Sequence, residues 1–145
     1  MTRQICFVIA LALLAAIWCS GRAPQEEFVV IVNPSNHFDA LSRSKLSFLF
    51  FRKVSRWPWG AEAQPIELEP RSPARHWFVV QVMQTTEEQL SDYWIDQTAT
   101  RGLSRPIRVA DAAAAKKIVA ARPGAVAYIP SSELDGTVKA IRVEP

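Results

Sequence analysis

Cysteine is scarce in this chain: its 145 residues include two, Cys6 and Cys19, both close to the N-terminus. Maturation that removes that end leaves no thiol, which excludes cysteine catalysis, thiolate metal sites and a disulfide framework. Glycine is scarce too, at 5 residues, and no P-loop, GxGxxG or GxSxG pattern occurs. Nucleotide loops of those kinds and the nucleophile elbow are thereby excluded. The two histidines, His37 and His76, fall in different segments without HxH or HExxH spacing. Neither a metal site nor a cofactor is expected from them. A surplus of one charge is also missing, since 17 Lys and Arg face 14 Asp and Glu for a net charge of +3. No polybasic run and no aromatic–basic interleaving stands out, so a nucleic-acid partner is not expected. No spacing pairs a base with a nucleophile, so an enzyme is not the expected class.

What is present begins with an address. Arg3 supplies a positive charge, and Ile5 to Trp18 is an uncharged apolar run. That run is shorter than the ~20 residues of a membrane-spanning helix and suits a secretory leader. Cleavage after Gly21 places the small Cys19 where a signal peptidase requires one, whereas cleavage after Ala23 is disfavoured by Pro24. The expected arrangement is a signal peptide over 1–21 and a mature domain over 22–145. That domain would be periplasmic or secreted, with membrane contact only through the leader. The alternative is a chain anchored through the leader or by a lipid on Cys19. Against it stand the bulky Ile17 and Trp18, where a lipoprotein signal wants small residues. With 49% hydrophobic and 21% charged residues, the chain supports one packed core.

Phe28-Val29-Val30-Ile31-Val32 is a continuous β-branched run ending in the turn signal Asn33-Pro34-Ser35-Asn36. It reads as a strand covered on both faces, as in a parallel sheet. Leu41 to Gly60 then reads as a short helix and a tryptophan corner. Ser42 caps the helix, Leu46, Leu49 and Phe50 share one face, and Pro58 and Gly60 turn the chain beside Trp57 and Trp59. Pro65 to Glu69 alternates as a strand. Ser72 as N-cap and Pro73 at the first helical position start a helix running to Met83. Trp77, Val80 and Gln84 are expected on one of its faces, with Phe78, Val79 and Val82 broadening the buried side. Thr85 or Thr86 caps the next helix, whose apolar face carries Leu90, Tyr93 and Trp94. After the basic loop Thr98 to Arg105 come a strand over Ile107 to Val109 and an alanine-rich helix from Asp111, stopped by Pro123-Gly124. A second buried strand, Ala125 to Ile129, and an edge strand, Val138 to Val143, complete the chain. This alternation predicts an α/β domain with a mainly parallel sheet flanked by helices.

Leu41-Ser42, Leu46, Leu49-Phe50, Arg56-Trp57-Pro58 and Gly60 resemble the "LS…L…IF.G….W..G" stretch of periplasmic phosphate-binding proteins, the substrate-binding components of phosphate ABC transporters. They look closer still to short single-domain relatives of those receptors. Ile66 to Phe78 is similar to the family's strand-loop-helix, and Val119 to Ile129 to its "V…PGAIGYV" segment. Arg52 departs from the pattern by standing where a glycine usually ends the helix, in a conformation an arginine tolerates poorly. The resemblance implies a single lobe of periplasmic-binding-protein type, without the half that supplies the opposite wall of the ligand cleft. It also implies a small oxyanion, phosphate first, as the ligand.

The residues locate candidate sites of their own. Arg71-Ser72-Pro73-Ala74-Arg75 opens a helix, where free N–H groups and partial positive charge suit an anion. Arg75 in the first turn opposes the helix dipole unless an anion or a carboxylate lies nearby, and arginine grips oxyanions in bidentate fashion. In the larger receptors the matching loop reads Arg…Gly-Ser-Gly-Thr, of which only Ser72 matches cleanly here. Two readings stand: an anion held by Ser72, backbone N–H groups, Arg71 and Arg75, or an ordinary capped helix whose Arg75 pairs with a surface Asp or Glu. Arg101, Gly102 and Arg105 form a second candidate, a basic nest in a loop. Asn33 and Ser35 form a third, beyond the end of the first strand, where an Asx turn explains them equally well. Asp92 and Asp96 read as a solvated helix face. The expected function is an exported oxyanion-binding domain. The alternative is an envelope interaction module that has lost ligand binding, with a homodimer as the arrangement that would rebuild a two-walled cleft.

Overall fold

The computed structural model describes residues 26–145. The expected leader, its cleavage site and both cysteines lie outside the described residues. The buried hydrophobic side chains among the described residues fall between Val30 and Ile141. Among the described residues no helix is long and apolar enough to cross a membrane.

Strands β1 (Phe28–Val32), β2 (Ala40–Ser42), β3 (Gln64–Leu68), β4 (Ile107–Val109), β5 (Ala125–Pro130) and β6 (Lys139–Glu144) form one sheet. Their order across it is β2-β6-β1-β5-β3-β4. β2 runs parallel to β6, and β3 runs parallel to both β4 and β5. β1 is antiparallel to both of its neighbours, β5 and β6. Five strands therefore point one way and β1 alone is reversed, which fits the expected mainly parallel α/β sheet. The apolar run of β1 reflects burial on both faces, and burial does not distinguish direction.

Two expectations need correction. Val138 to Val143 is not at the edge: β6 lies inside the sheet because the three residues of β2 pair along its outer side. The helix after Ser72 buries Phe78, Val79 and Val82 as expected, but Val80 and Gln84, expected on a shared face with Trp77, are exposed. It runs as α2 (Pro73–Trp77) and continues through a π-helical turn, Phe78–Val82. The wider turn rotates the register, so Ala74, Phe78, Val79 and Val82 enter the core while Val80 is 40% exposed.

Helix α1 (Arg43–Phe50) packs beside this segment over β5, where Phe50 and Phe78 stack against Tyr128 at 5.9 and 4.3 Å between ring centroids. Helix α3 (Glu87–Arg101) begins with a full capping box between Thr86 and Gln89 and buries Leu90 and Trp94. Helix α4 (Ala112–Ala121) packs against β5, β1 and β3, its alanines permitting close approach. Asp92 and Asp96 are exposed on α3, as expected of a solvated face.

The tryptophan corner is tied to the sheet through Gly124. The Gly124 carbonyl accepts from Trp57 Nε1 at 2.9 Å and from the Gln64 N–H at 2.9 Å. A Cβ on Gly124 would lie 1.8 Å from the Glu62 carbonyl oxygen, so only glycine fits there. At the end of α1, Arg52 adopts φ 56 with its N–H on the Leu49 carbonyl at 3.1 Å. The helix thus closes with the left-handed cap that glycine usually provides, and the arginine bears the strain. Gly124→Ala is expected to lower the thermal midpoint by 10 °C or more or to abolish folding, as read by circular dichroism. Arg52→Gly is expected to raise stability by about 1 kcal/mol in denaturant titration, because it relieves the left-handed strain.

Candidate functional site

The strongest sequence candidate folds as its local signals dictate. Ser72 has extended backbone and caps α2, its hydroxyl lying 3.5 Å from the Arg75 N–H, and Pro73 takes the first helical position. Arg75 then points inward, and its side chain is 3% exposed. Its Nε and Nη2 donate to the two carboxylate oxygens of Glu87 at 2.7 and 3.0 Å. Its Nη1 donates to Glu67 at 2.8 Å and to the Leu68 carbonyl at 3.3 Å. Glu67 lies in β3 with its side chain 3% exposed, and Arg108 of β4 approaches it at 3.8 Å.

The carboxylate that a first-turn arginine demands is thus supplied from inside the protein, twice over. Burial by itself lowers the Arg75 pKa, but the Glu87 and Glu67 carboxylates outweigh it and the net shift is upward. Tyr128 closes the cluster by accepting the Leu68 N–H at 3.1 Å, and burial pushes its hydroxyl above the ordinary phenol range. With its fork engaged by two acids, Arg75 is not available to grip an oxyanion from solvent. Arg71 is exposed and Ser72 partly buried at the same helix start.

The other candidates do not join them. Ser72 follows β3 at the end of the sheet where β3, β4 and β5 finish. Because β1 is reversed, Phe28 lies opposite Pro130 and Val32 opposite Val126. Asn33 and Ser35 therefore sit at the far end, where β5 begins. There the Asn33 amide donates to the Val119 and Ala120 carbonyls of α4, both at 2.9 Å. Its Oδ1 accepts from the Ser35 N–H at 2.9 Å and the Ser35 hydroxyl at 2.7 Å. This is the Asx turn, closing the exposed end of a helix. Arg101, Gly102 and Arg105 precede β4, whose Ile107 pairs with Ile66, so they too lie at the far end. Gly102 takes φ 64 as the left-handed cap of α3, which accounts for the glycine. Among the described residues no group of three or more acids, histidines or cysteines could hold a metal ion.

Sequence reasoning missed Glu67 and Glu87. Glu67 sat inside the alternation of Pro65 to Glu69, where an acid at a core position signals a buried partner. Glu87 stands in the first turn of α3, where an acid is already accounted for by the helix dipole, so its sequence position does not signal a partner elsewhere in the fold.

No family model matches the chain, and no curated protein matches its sequence. Solved structures do match. An ABC-type phosphate transport receptor from Vibrio cholerae is 20% identical with a TM-score of 0.65, over 81% of this chain and 46% of that one. PstS from Borrelia burgdorferi is 12% identical with a TM-score of 0.63, over 82% of this chain and 47% of that one. The chain thus has the fold of periplasmic-binding-type phosphate receptors, as the resemblance implied, and spans less than half the length of either.

Removing one partner of a buried ion pair leaves the other charge uncompensated, at a cost of about 3–5 kcal/mol. Arg75→Ala is therefore expected to lower the thermal midpoint by about 10 °C or more, with Glu67→Gln in the same background restoring part of the loss. Thermal unfolding of the three proteins checks this.

Proposed function

We propose that the chain is an exported, non-enzymatic binding module of the cell envelope. It is a receptor-type lobe in which the arginine expected to hold the anion has become an internal strut. The observation that carries this reading is the Arg75 guanidinium held between Glu67 and Glu87 at 2.8 and 2.7 Å. The absence of both loop glycines beside Ser72 supports it, because a backbone bearing Pro73 and Ala74 approaches an oxyanion less closely. The neighbours in fold are receptors by name, which supports a binding role over catalysis. A leader over 1–21 would be removed, leaving residues 22–145 in the periplasm or outside the cell.

A second reading keeps phosphate as the ligand, held by Ser72 and Arg71. It is favoured by the exposed Arg71 beside the helix start and by the neighbour named as a phosphate transport receptor. One lobe by itself leaves one side of such a ligand in water, where charge pairs contribute about 0–1 kcal/mol. The other wall would have to come from a second lobe or from a second copy of the chain.

Calorimetric titration of residues 22–145 with phosphate, sulfate and a dicarboxylate separates the two. The envelope-module reading expects no saturable binding of any of the three at low millimolar concentration by protein shown to be folded. Saturable phosphate binding that Arg71→Ala and Ser72→Ala both weaken would overturn it in favour of the phosphate reading.

A further inference from the structure

Away from the Ser72 helix start, the corner between α1 and β3 encloses a cavity of about 270 Å³. Its walls are apolar: Phe38, Leu41, Phe48, Leu49, Val54 and Trp57 line it. Trp57 is firmly placed, since its indole N–H is held by the Gly124 carbonyl and its ring stacks on Trp59 at 4.8 Å and on Phe38 at 6.1 Å. Leu41 and Leu49 come from the core, whereas Phe48 and Val54 are 45% and 41% exposed. An exposed aromatic ring and an exposed valine around a concave apolar wall are not needed to stabilise the sheet beneath.

Both charged residues that line this cavity are cations, and the acids next to it in sequence, Asp39 and Glu62, lie outside its lining. From Ala40 to Ala61 the chain contains Arg43, Lys45, Arg52, Lys53 and Arg56 and no acidic residue. Lys45 and Arg56 line the cavity. Lys53 places its ammonium 5.6 Å from the centre of the Phe48 ring. Among the described residues, none of the five cations makes an ion pair. Glu62 faces Arg56 across a backbone bridge, yet the Arg56 guanidinium bonds the Gly60 carbonyl at 3.0 Å instead. The helix turns Arg43, Lys45 and Phe48 to the surface while Leu46 and Leu49 go inward.

We propose that this cavity binds a medium-chain aliphatic carboxylate, one molecule at a time. The chain would lie on Phe38, Leu49 and Trp57, and the carboxylate between Lys45 and Arg56. Two features select this occupant. An apolar pocket with a few convergent polar groups is the usual form of a small-ligand site, and this one is just below the ~300 Å³ at which such sites begin. Its unpaired rim cations complement a single anionic head. The inference concerns a different site from the Ser72 helix start and stands whether or not phosphate binds there.

The test is calorimetric titration of the protein with hexanoate, octanoate and decanoate below their micelle-forming concentrations. Saturable one-to-one binding is expected, tightening by about three- to fourfold per methylene as each is buried. 1-Octanol, with a similar chain and no charge, should bind several-fold more weakly than octanoate. Lys45→Gln with Arg56→Gln should weaken decanoate by about tenfold, and Phe48→Glu should abolish saturation. All three positions are exposed, so circular dichroism should show an unchanged fold. Inorganic phosphate should leave decanoate binding unaltered. Absence of saturation, no dependence on chain length, or indifference to these substitutions would overturn the proposal. Displacement by phosphate would do the same. So would sedimentation of the protein with phosphatidylglycerol vesicles without saturable carboxylate binding, since that would make the face a membrane contact.

Discussion

The Arg75 guanidinium between Glu67 and Glu87 is the interaction on which the architecture depends. It joins β3, the start of α2 and the first turn of α3, three elements that share no backbone hydrogen-bond ladder. A buried charge of this kind is tolerated only when its donors are satisfied, and here both carboxylates and the Leu68 carbonyl satisfy them. The same geometry defines what the helix start can do. A guanidinium turned inward stabilises the lobe, and one turned outward could have recognised an oxyanion. One fork does not serve both ends.

Strand direction is the second constraint. In an open parallel sheet, ligands gather where strands end, because the following loops and helix starts converge there. The reversal of β1 sends its trailing loop to the other end of the sheet. Asn33 and Ser35 consequently close the end of α4 rather than face Ser72. The basic loop before β4 lies on that far side too. Five of the eight residues named as ligand candidates are thus separated from the other three by the length of the strands.

In the tryptophan corner Phe38, Trp57 and Trp59 stack on one another while the Trp57 indole N–H is held by the Gly124 carbonyl before β5, and this wall bounds the basic, partly apolar face of α1. Binding energy for a small charged ligand requires enclosure, which one sheet end offers poorly by itself. It requires less enclosure when apolar area contributes most of it.

Periodicity and capping signals made most elements legible: the run of β1, the Ser72, Thr86 and Asp111 caps, the Pro123-Gly124 stop and the Leu46, Leu49, Phe50 face all act locally. The short motifs around Trp57 and Val119 to Ile129 pointed to the receptor-type fold. The pairing of β2, the reversal of β1 and the π-helical turn at Phe78 were not legible, because they depend on contacts between segments far apart in the chain. By itself the sequence determined most of the helices and strands and that Arg75, a cation in a first helical turn, required a negative partner, a bound anion or a carboxylate. Only the tertiary structure decided that the acids were Glu67 and Glu87, because the approach of β3 and α3 to that guanidinium is a property of packing, not of spacing.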